Sequence, residues 1–187
     1  SDHGHTHVGN NRGMEDHHIM GSNFRIGEIN AAIGLAQMRK LPWILEQNRK
    51  HKKYIKDRLK QIEGLTFRKL GDEDGDSATF VNFFLPTKQH AERLFAQLSK
   101  DGVGGVANWY TNMYHFINQW DHIKEVKFPS KLAIHNLEAP QDYSKSSLPK
   151  SEDSISRLAC IGIQCTWNGA QLEVYMDKIV AAIEKVL

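Results

Sequence analysis

The order of secondary-structure signals along the chain predicts an α/β domain in which a small mixed or antiparallel sheet is backed by helices. Three observations carry that expectation. After residue 64 the signals run strand, strand, helix, strand, irregular segment, strand, helix, without the regular alternation of a doubly wound sheet. The first two strands, in LTFRKL and ATFVNFFL, are joined by the acidic, glycine-containing loop GDEDGDS. The terminal segment NGAQLEVYMDKIVAAIEKVL places Leu172, Tyr175, Met176, Ile179, Val180 and Ile183 on one stripe, as a helix laid on a core requires.

Residues 1–22 are rich in His, Gly and Asn, carry no apolar period, and read as loop. From Ile26 to Leu41 the chain is apolar on nearly all sides, with small Ala31, Ala32, Gly34 and Ala36 interspersed, which predicts a buried helix packed closely against something large. Pro42 is expected to restart a second helix, with Ile55, Leu59 and Ile62 on its apolar stripe and Lys52, Lys53, Lys56 and Lys60 on a solvated face. Gly64 ends it. In ATFVNFFL, Ala78, Phe80 and Phe84 share one side while Val81, Phe83 and Leu85 share the other, so the strand is expected to be central and covered on both faces. Thr87 caps a helix running to about Lys100, Gly102 closes it, and VGGVA is a short strand. Residues 107–147 are irregular and aromatic, with one helix expected around 111–120. SEDSISRL reads as a short helix and ACIGIQ as a strand.

Composition excludes several classes of function. The 187 residues carry 24 basic and 22 acidic side chains, a net charge of +2, which leaves no electrostatic footprint for nucleic acid or an anionic membrane. No run approaches the roughly 18 apolar residues of a membrane helix, and SDHGHTHVGN lacks the basic and apolar regions of a signal peptide, so a soluble, cytoplasmic protein is expected. Cys160 and Cys165 stand at an odd offset along an expected strand, which would put them on opposite faces and about 16 Å apart, as two buried free thiols.

The chain has no GxxxxGK loop, no GxGxxG between strand and helix, no HExxH and no paired CxxC. Three local features remain. His3, His5 and His7, followed by Glu15, Asp16, His17 and His18, could gather a divalent metal, but nothing fixes their spacing. Histidines lining a polar cleft or solvating a loop are the favoured reading, and no metal is assigned. In GSNFRIGEINAAIGLAQ a polar turn runs into the buried helix, and its free backbone N–H groups suit a phosphate. Asn23 stands at that junction, as a phosphate contact or as a helix cap. Arg25 beside it could bind an anion or pair with Glu28. Finally, Trp109, Tyr110, Tyr114, His115, Phe116 and Trp120, with Asn108 and Asn112 between them, combine the flat apolar faces and amides of a sugar-binding cleft, or else anchor a loop to the core.

The segment GSNFRIGEINAAIGLAQMRKL resembles a motif of the DegT/DnrJ/EryC1/StrS family of pyridoxal-phosphate (PLP)-dependent sugar aminotransferases, in Gly21, Asn23, Phe24, Arg25, Glu28, Ala31, Ala32, Ile33, Gly34, Leu35 and Gln37. Ser22 stands where the family has an aromatic residue, and Ile26 where it has Met. DHG at 2–4 is similar to the family's His-Gly at the end of the large domain, and LPKSEDSISRLACIGIQ with the terminal helix resembles the family's ending.

The resemblance implies the C-terminal small domain of an aspartate-aminotransferase-type (fold type I) transferase. Residues 1–41 would be the end of the large domain and an interdomain helix, and 42–187 the small domain. The Schiff-base lysine is expected upstream of Ser1, with no lysine here in the family's Ser-x-x-x-Lys setting, so this chain alone is expected to be inactive. Asn23, and with it Arg25, would reach the cofactor phosphate of the neighbouring subunit of a homodimer. The implied reaction moves an amino group from glutamate to a keto or aldehyde sugar, for which Trp109, Tyr110 and Asn108 are the candidate substrate contacts. The His-rich loop 3–21 resembles that of enzymes making 8-amino-3,8-dideoxy-manno-octulosonate for lipopolysaccharide. Two alternatives stay open: a sugar 3-dehydratase of the same family, with histidine in place of the lysine, and a non-catalytic His-rich metal-binding or interaction module.

Overall fold

The computed structural model describes residues 26–139, 142–145 and 147–187. The chain divides into two units, Ser1–Pro42 and Trp43–Leu187. One helix, α1 (Glu28–Leu59), runs through the division point. Pro42 was expected to start a new helix; instead it sits inside α1. It lacks the N–H that would bond the Met38 carbonyl, but the residues on either side are good helix formers and the helix continues across the gap.

In the first unit, the described part of α1 exposes its apolar residues. Ile29 is 78% accessible, and Ile26, Ile33, Leu35 and Met38 are likewise exposed. At 100° per residue, Ile29 and Ile33 share one side of the helix while Leu35 and Met38 point away from it. The burial expected for this segment is therefore not provided among the described residues.

The second unit holds a four-stranded antiparallel sheet, ordered β1 (Thr66–Phe67), β2 (Phe80–Phe84), β4 (Leu158–Gly162), β3 (Val106–Ala107). The β2–β4 pair is the longest, running from Phe80 opposite Gly162 to Phe84 opposite Leu158. Helices α2 (Lys88–Lys100), α4 (Pro149–Ser156) and α5 (Gly169–Glu184) complete the unit, with a single turn, α3 (Asp121–Lys124), in the irregular segment. The core joins Ile55 and Leu59 of α1, Val81 and Phe83 of β2, Leu94 of α2, Ile161 of β4 and Ile179 and Ile183 of α5, all fully buried. Burying each such side chain contributes about 1.5–3 kcal/mol.

Alternation along β2 gives the sheet one dry face. Val81, Phe83 and Leu85 point into the core; on the opposite side Phe80 is 48% exposed while Ala78 is buried and Phe84 half-buried, so the expected cover on both faces is met only in part. The strand is central because β1 and β4 flank it, not because two layers enclose it. On this second face Cys160 is buried, while Cys165 lies beyond the end of β4 and is only partly covered. Both thiols are free, but the pair does not share one strand.

The lysine-rich face of α1 is also more than a solvated surface. Lys52 pairs with Asp76 at 2.6 Å and Lys56 with Glu73 at 3.7 Å, and the Arg49 guanidinium donates to the carbonyls of Asp74 and Asp76. The acidic loop 71–77 is thus laid along the basic stripe. Asp76 also accepts from the Ala78 N–H, which holds Ala78 at φ +56 as the chain enters β2.

The caps follow the sequence. Thr87 Oγ1 accepts from the His90 N–H at the start of α2, and Asn168 and Gln171 form a reciprocal capping box on α5. Gly105 has φ +80 and lies so close to Tyr175 that a Cβ there would meet its hydroxyl at 2.8 Å, so both backbone and space require glycine. No described helix is long and apolar enough to cross a membrane.

Candidate functional site

The aromatic segment after β3 is the part of the described chain where polar and aromatic side chains converge. A helix expected around 111–120 does not form. Asn108 Oδ1 accepts from the Tyr110 N–H at 3.1 Å and Asn112 Oδ1 from the Tyr114 N–H at 3.1 Å, so two side chains satisfy backbone donors that a helix would have used. Met113, between Asn112 and Tyr114, takes φ +63, and only a 3₁₀ turn at Ile117–Gln119 and α3 follow.

The three residues expected to touch a substrate are partly buried and tied into the protein. The Trp109 ring stacks on His115 with centroids 4.3 Å apart. Its indole also meets Cys160; burial pushes that thiol's pKa up, with the Trp109 hydrogen bond and the charge of Arg68 pulling the other way. The Tyr110 hydroxyl donates to Glu152 Oε1 of α4 at 2.9 Å and accepts from Lys88 Nζ of α2 at 3.4 Å. Lys88 also lies 4.7 Å over the Tyr110 ring. The hydroxyl contact, with the nearby charges of Glu92 and Glu152, raises the Lys88 pKa despite some desolvation. The Tyr110 carbonyl accepts from Gln119 Nε2 at 2.8 Å. Tyr110 therefore pins the segment to α2 and α4.

Beyond this anchor the lobe turns other groups outward. Trp120 Nε1 donates to the Met113 carbonyl at 2.9 Å, closing the loop 113–120. Tyr114 is 77% exposed at its tip. Met113, Tyr114, Gln119, Trp120, Asp121 and His122 line an open cavity of about 470 Å³, within the range of small-molecule sites. Gln119, Asp121 and His122 were not singled out from the sequence. Their place in the cavity comes from the loop closing on itself, and the only local signal was their adjacency to Trp120.

Asn23, Arg25 and the histidines at 3–18 lie outside the described residues. No group of three or more His, Cys, Asp or Glu suited to a metal occurs among the described residues. The Ser-x-x-x-Lys spacing, expected to be missing, does occur once, at Ser146 and Lys150. Lys150 is exposed in the first turn of α4, whereas a lysine bonded to a cofactor must be enclosed by it. The better covered Lys52 and Lys56 are engaged by the acidic loop. None of these three lysines fits the cofactor.

The family model of the DegT/DnrJ/EryC1/StrS aminotransferases matches residues 1–180, and the chain belongs to that family. The family is one of PLP-dependent aminotransferases. Among solved structures, the chain is similar to Helicobacter pylori PseC, an aminotransferase involved in the biosynthesis of pseudoaminic acid, at 16% identity and TM-score 0.68, over 98% of this chain and 44% of that one. It is also similar to 3-amino-5-hydroxybenzoic acid synthase (19% identity, TM-score 0.61, 91% and 42%) and to the aminotransferase TlmJ from Streptoalloteichus hindustanus (16%, 0.62, 92% and 41%). At these identities the structures establish the fold, that of the small-domain part of a fold type I PLP transferase. The chain spans less than half the length of each.

Proposed function

We propose that this chain is the C-terminal part of a PLP-dependent sugar aminotransferase that moves an amino group from glutamate to a keto or aldehyde sugar, in a homodimer whose subunits share each active site. The match of the aminotransferase family model from residue 1 to residue 180 carries the reading. When bound, PLP supplies an electron sink for the carbanion that forms as the amino group is exchanged. This chain's part would be to hold the cofactor phosphate through Asn23, and more weakly Arg25, and to present the 107–122 lobe to the sugar, with Asn108, Trp109 and Tyr110 as its inner contacts and anchors. A nucleotide-linked sugar or an 8-oxo-3-deoxy-octulosonate destined for lipopolysaccharide is the substrate class that the sequence resemblance favours, in a cytoplasmic enzyme.

The test is Asn23→Ala in the full-length gene product. Removing one neutral donor to a charged acceptor costs about 1–2 kcal/mol, so PLP affinity is expected to fall roughly five- to thirty-fold with glutamate-dependent amination of the sugar reduced in step. An unchanged PLP dissociation constant beside a lowered melting temperature of the apo protein would make Asn23 a helix cap and refute the phosphate role.

A further inference from the structure

We infer that the C-terminal end of the basic stripe on α1, at Lys53, Lys56 and Lys60, is a binding site for a diphosphate-type anion recognised by its phosphate groups alone, and that Glu73 of the acidic loop occupies this site as a displaceable gate. The inference goes beyond the aminotransferase reading and does not depend on it. It stands on the surplus of positive charge around one cavity, on what else lines that cavity, and on the unequal hold that α1 has on the two ends of the loop.

Arg49, Lys52, Lys53, Lys56 and Lys60 follow one another at helical spacings of three and four residues, so they share one face, and Lys60, just past the end of α1, still bonds its N–H to the Lys56 carbonyl. All five line a cavity of about 370 Å³ between the helix and the loop, where only Asp57, Glu73 and Asp76 oppose them. Cations outnumber carboxylates there by two. The Asp57 carboxyl registers the surplus: it is held below its ordinary 3.8, first by the Lys53 hydrogen bond, against some desolvation, and then by the charges of Lys53, Lys60 and Lys56. Like charges gathered on one helix face repel, and an anion among them relieves that repulsion.

The rest of the lining sets the class of ligand. Ala78 alone among the described lining residues is apolar, so the site offers an apolar ligand no cover and a nucleobase no ring to stack on. A metal ion would meet the surplus of positive charge. Phosphate oxygens accept from several ammonium groups at once, and lysine suits them as a compact charge with three donors.

One end of the loop is pinned. Asp76 Oδ2 accepts from Lys52 at 2.6 Å, with 12% and 20% of the two side chains exposed, and from the Ala78 N–H at 3.0 Å. Arg49 donates to the carbonyls of Asp74 and Asp76, and Asn48 Nδ2 lies 3.5 Å from the Ser77 carbonyl. The turn before them holds its own shape, because Asp72 Oδ1 accepts from the N–H groups of Asp74 and Gly75.

The other end is loose. The Glu73 carboxylate stands 3.7 Å from Lys56, beyond hydrogen-bond reach, and its side chain is 66% exposed. Lys60 has no ion pair among the described residues. Glu73 therefore marks the place of an anion without filling it. A diphosphate reaching Lys53, Lys56 and Lys60 replaces this long contact with charge-assisted hydrogen bonds of about 2.7–2.9 Å, and Glu73 can swing away while Asp76 keeps the rest of the loop in place.

The chain can be titrated with sodium pyrophosphate at a constant ionic strength of about 50 mM and followed by backbone amide NMR. Saturable shifts are expected at residues 53–60 and 72–75, with half-saturation at about 0.1–1 mM, as a few exposed charge-assisted contacts allow, while the Ala78 amide stays in place. Glu73→Gln removes the competing carboxylate and should tighten binding about three-fold or more. Lys56→Gln and, at the open surface, Lys60→Gln should each weaken it about five-fold or more, whereas Lys50→Gln, which removes an exposed cation of the same helix outside the cavity, should leave it within about two-fold. Uridine diphosphate should bind within about three-fold of pyrophosphate, since nothing in the cavity stacks a base. Four results would each overturn the site: no saturable shift, equal weakening by Lys50→Gln and Lys56→Gln, a Glu73→Gln dissociation constant no lower than the parent's, or uridine diphosphate binding more than about ten-fold tighter than pyrophosphate. None of these bears on the Asn23→Ala measurement in the full-length protein, which tests the aminotransferase reading separately.

Discussion

The first half of α1 and the whole of α5 are both rich in apolar residues, yet one is exposed and the other buried. In α5 the apolar residues form a stripe, Leu172, Met176, Ile179 and Ile183, that one sheet face can cover, and all four are buried. In α1, Ile29 and Ile33 point one way while Leu35 and Met38 point the other, and all are exposed in this chain. A stripe can be satisfied by a small domain. Apolar residues on opposite sides need cover from two directions, which the described part of this chain does not provide.

The largest effect that would sharpen the contrast is expected in the core. Phe83→Ala removes a fully buried ring between the sheet and its helices and should destabilise the chain by about 3–5 kcal/mol in urea unfolding, whereas Ile29→Ala should stay within about 0.5 kcal/mol. Equal losses would mean that α1 is covered within the chain after all.

The second effect concerns association. Ile29→Asp with Met38→Asp should lower hydrophobic-dye binding and concentration-dependent self-association of this chain, with little change in unfolding free energy. If the parent chain sediments as a monomer at every concentration and binds no dye, the contrast drawn from exposure fails.

A smaller loss is expected at the helix cap. Thr87→Ala removes the acceptor for the His90 N–H and should cost about 1 kcal/mol, while Thr87→Asn should recover most of it.

The smallest involves the acidic loop. Burial alone would raise the Asp76 pKa, but the hydrogen bond and charge of Lys52, with the Ala78 N–H, hold it below its ordinary value of 3.8. A depressed folded-state pKa means that the stabilisation is fully present above the unfolded value and is lost as pH falls through the folded one. Asp76→Asn should therefore cost about 1 kcal/mol at neutral pH and flatten the stability profile below about pH 4, as followed by urea unfolding at several pH values. An unchanged acid slope would show that the loop is not held by this pair.

Much of the second unit was legible because its signals are local. Thr87, Gly102 and the α5 stripe announce themselves within one or two turns of helix, and alternation alone separates Val81 and Phe83 from Phe80. The departures arise where partners are distant in sequence. Whether Lys52 and Lys56 are solvated depends on where Asp76 and Glu73 return, about twenty residues later, and whether Pro42 breaks a helix depends on how well its neighbours sustain one. In the aromatic segment, Asn108 and Asn112 spend their side chains on backbone N–H groups, and this turned an expected helix into a lobe.

From the sequence by itself came the family, through a long motif at 21–37, and the one-sided apolar stripes that require a small sheet backed by helices. Both depend on residue identity and short-range period, which folding cannot alter. Tertiary structure decided which face of β2 is dry, which lysines are neutralised, and that Tyr110 serves as an anchor while Tyr114 is left outward. These outcomes turn on which surfaces meet across tens of residues, and no local pattern encodes such meetings because the same side chain is equally suited to a core, an anchor or a binding surface until its neighbours are in place.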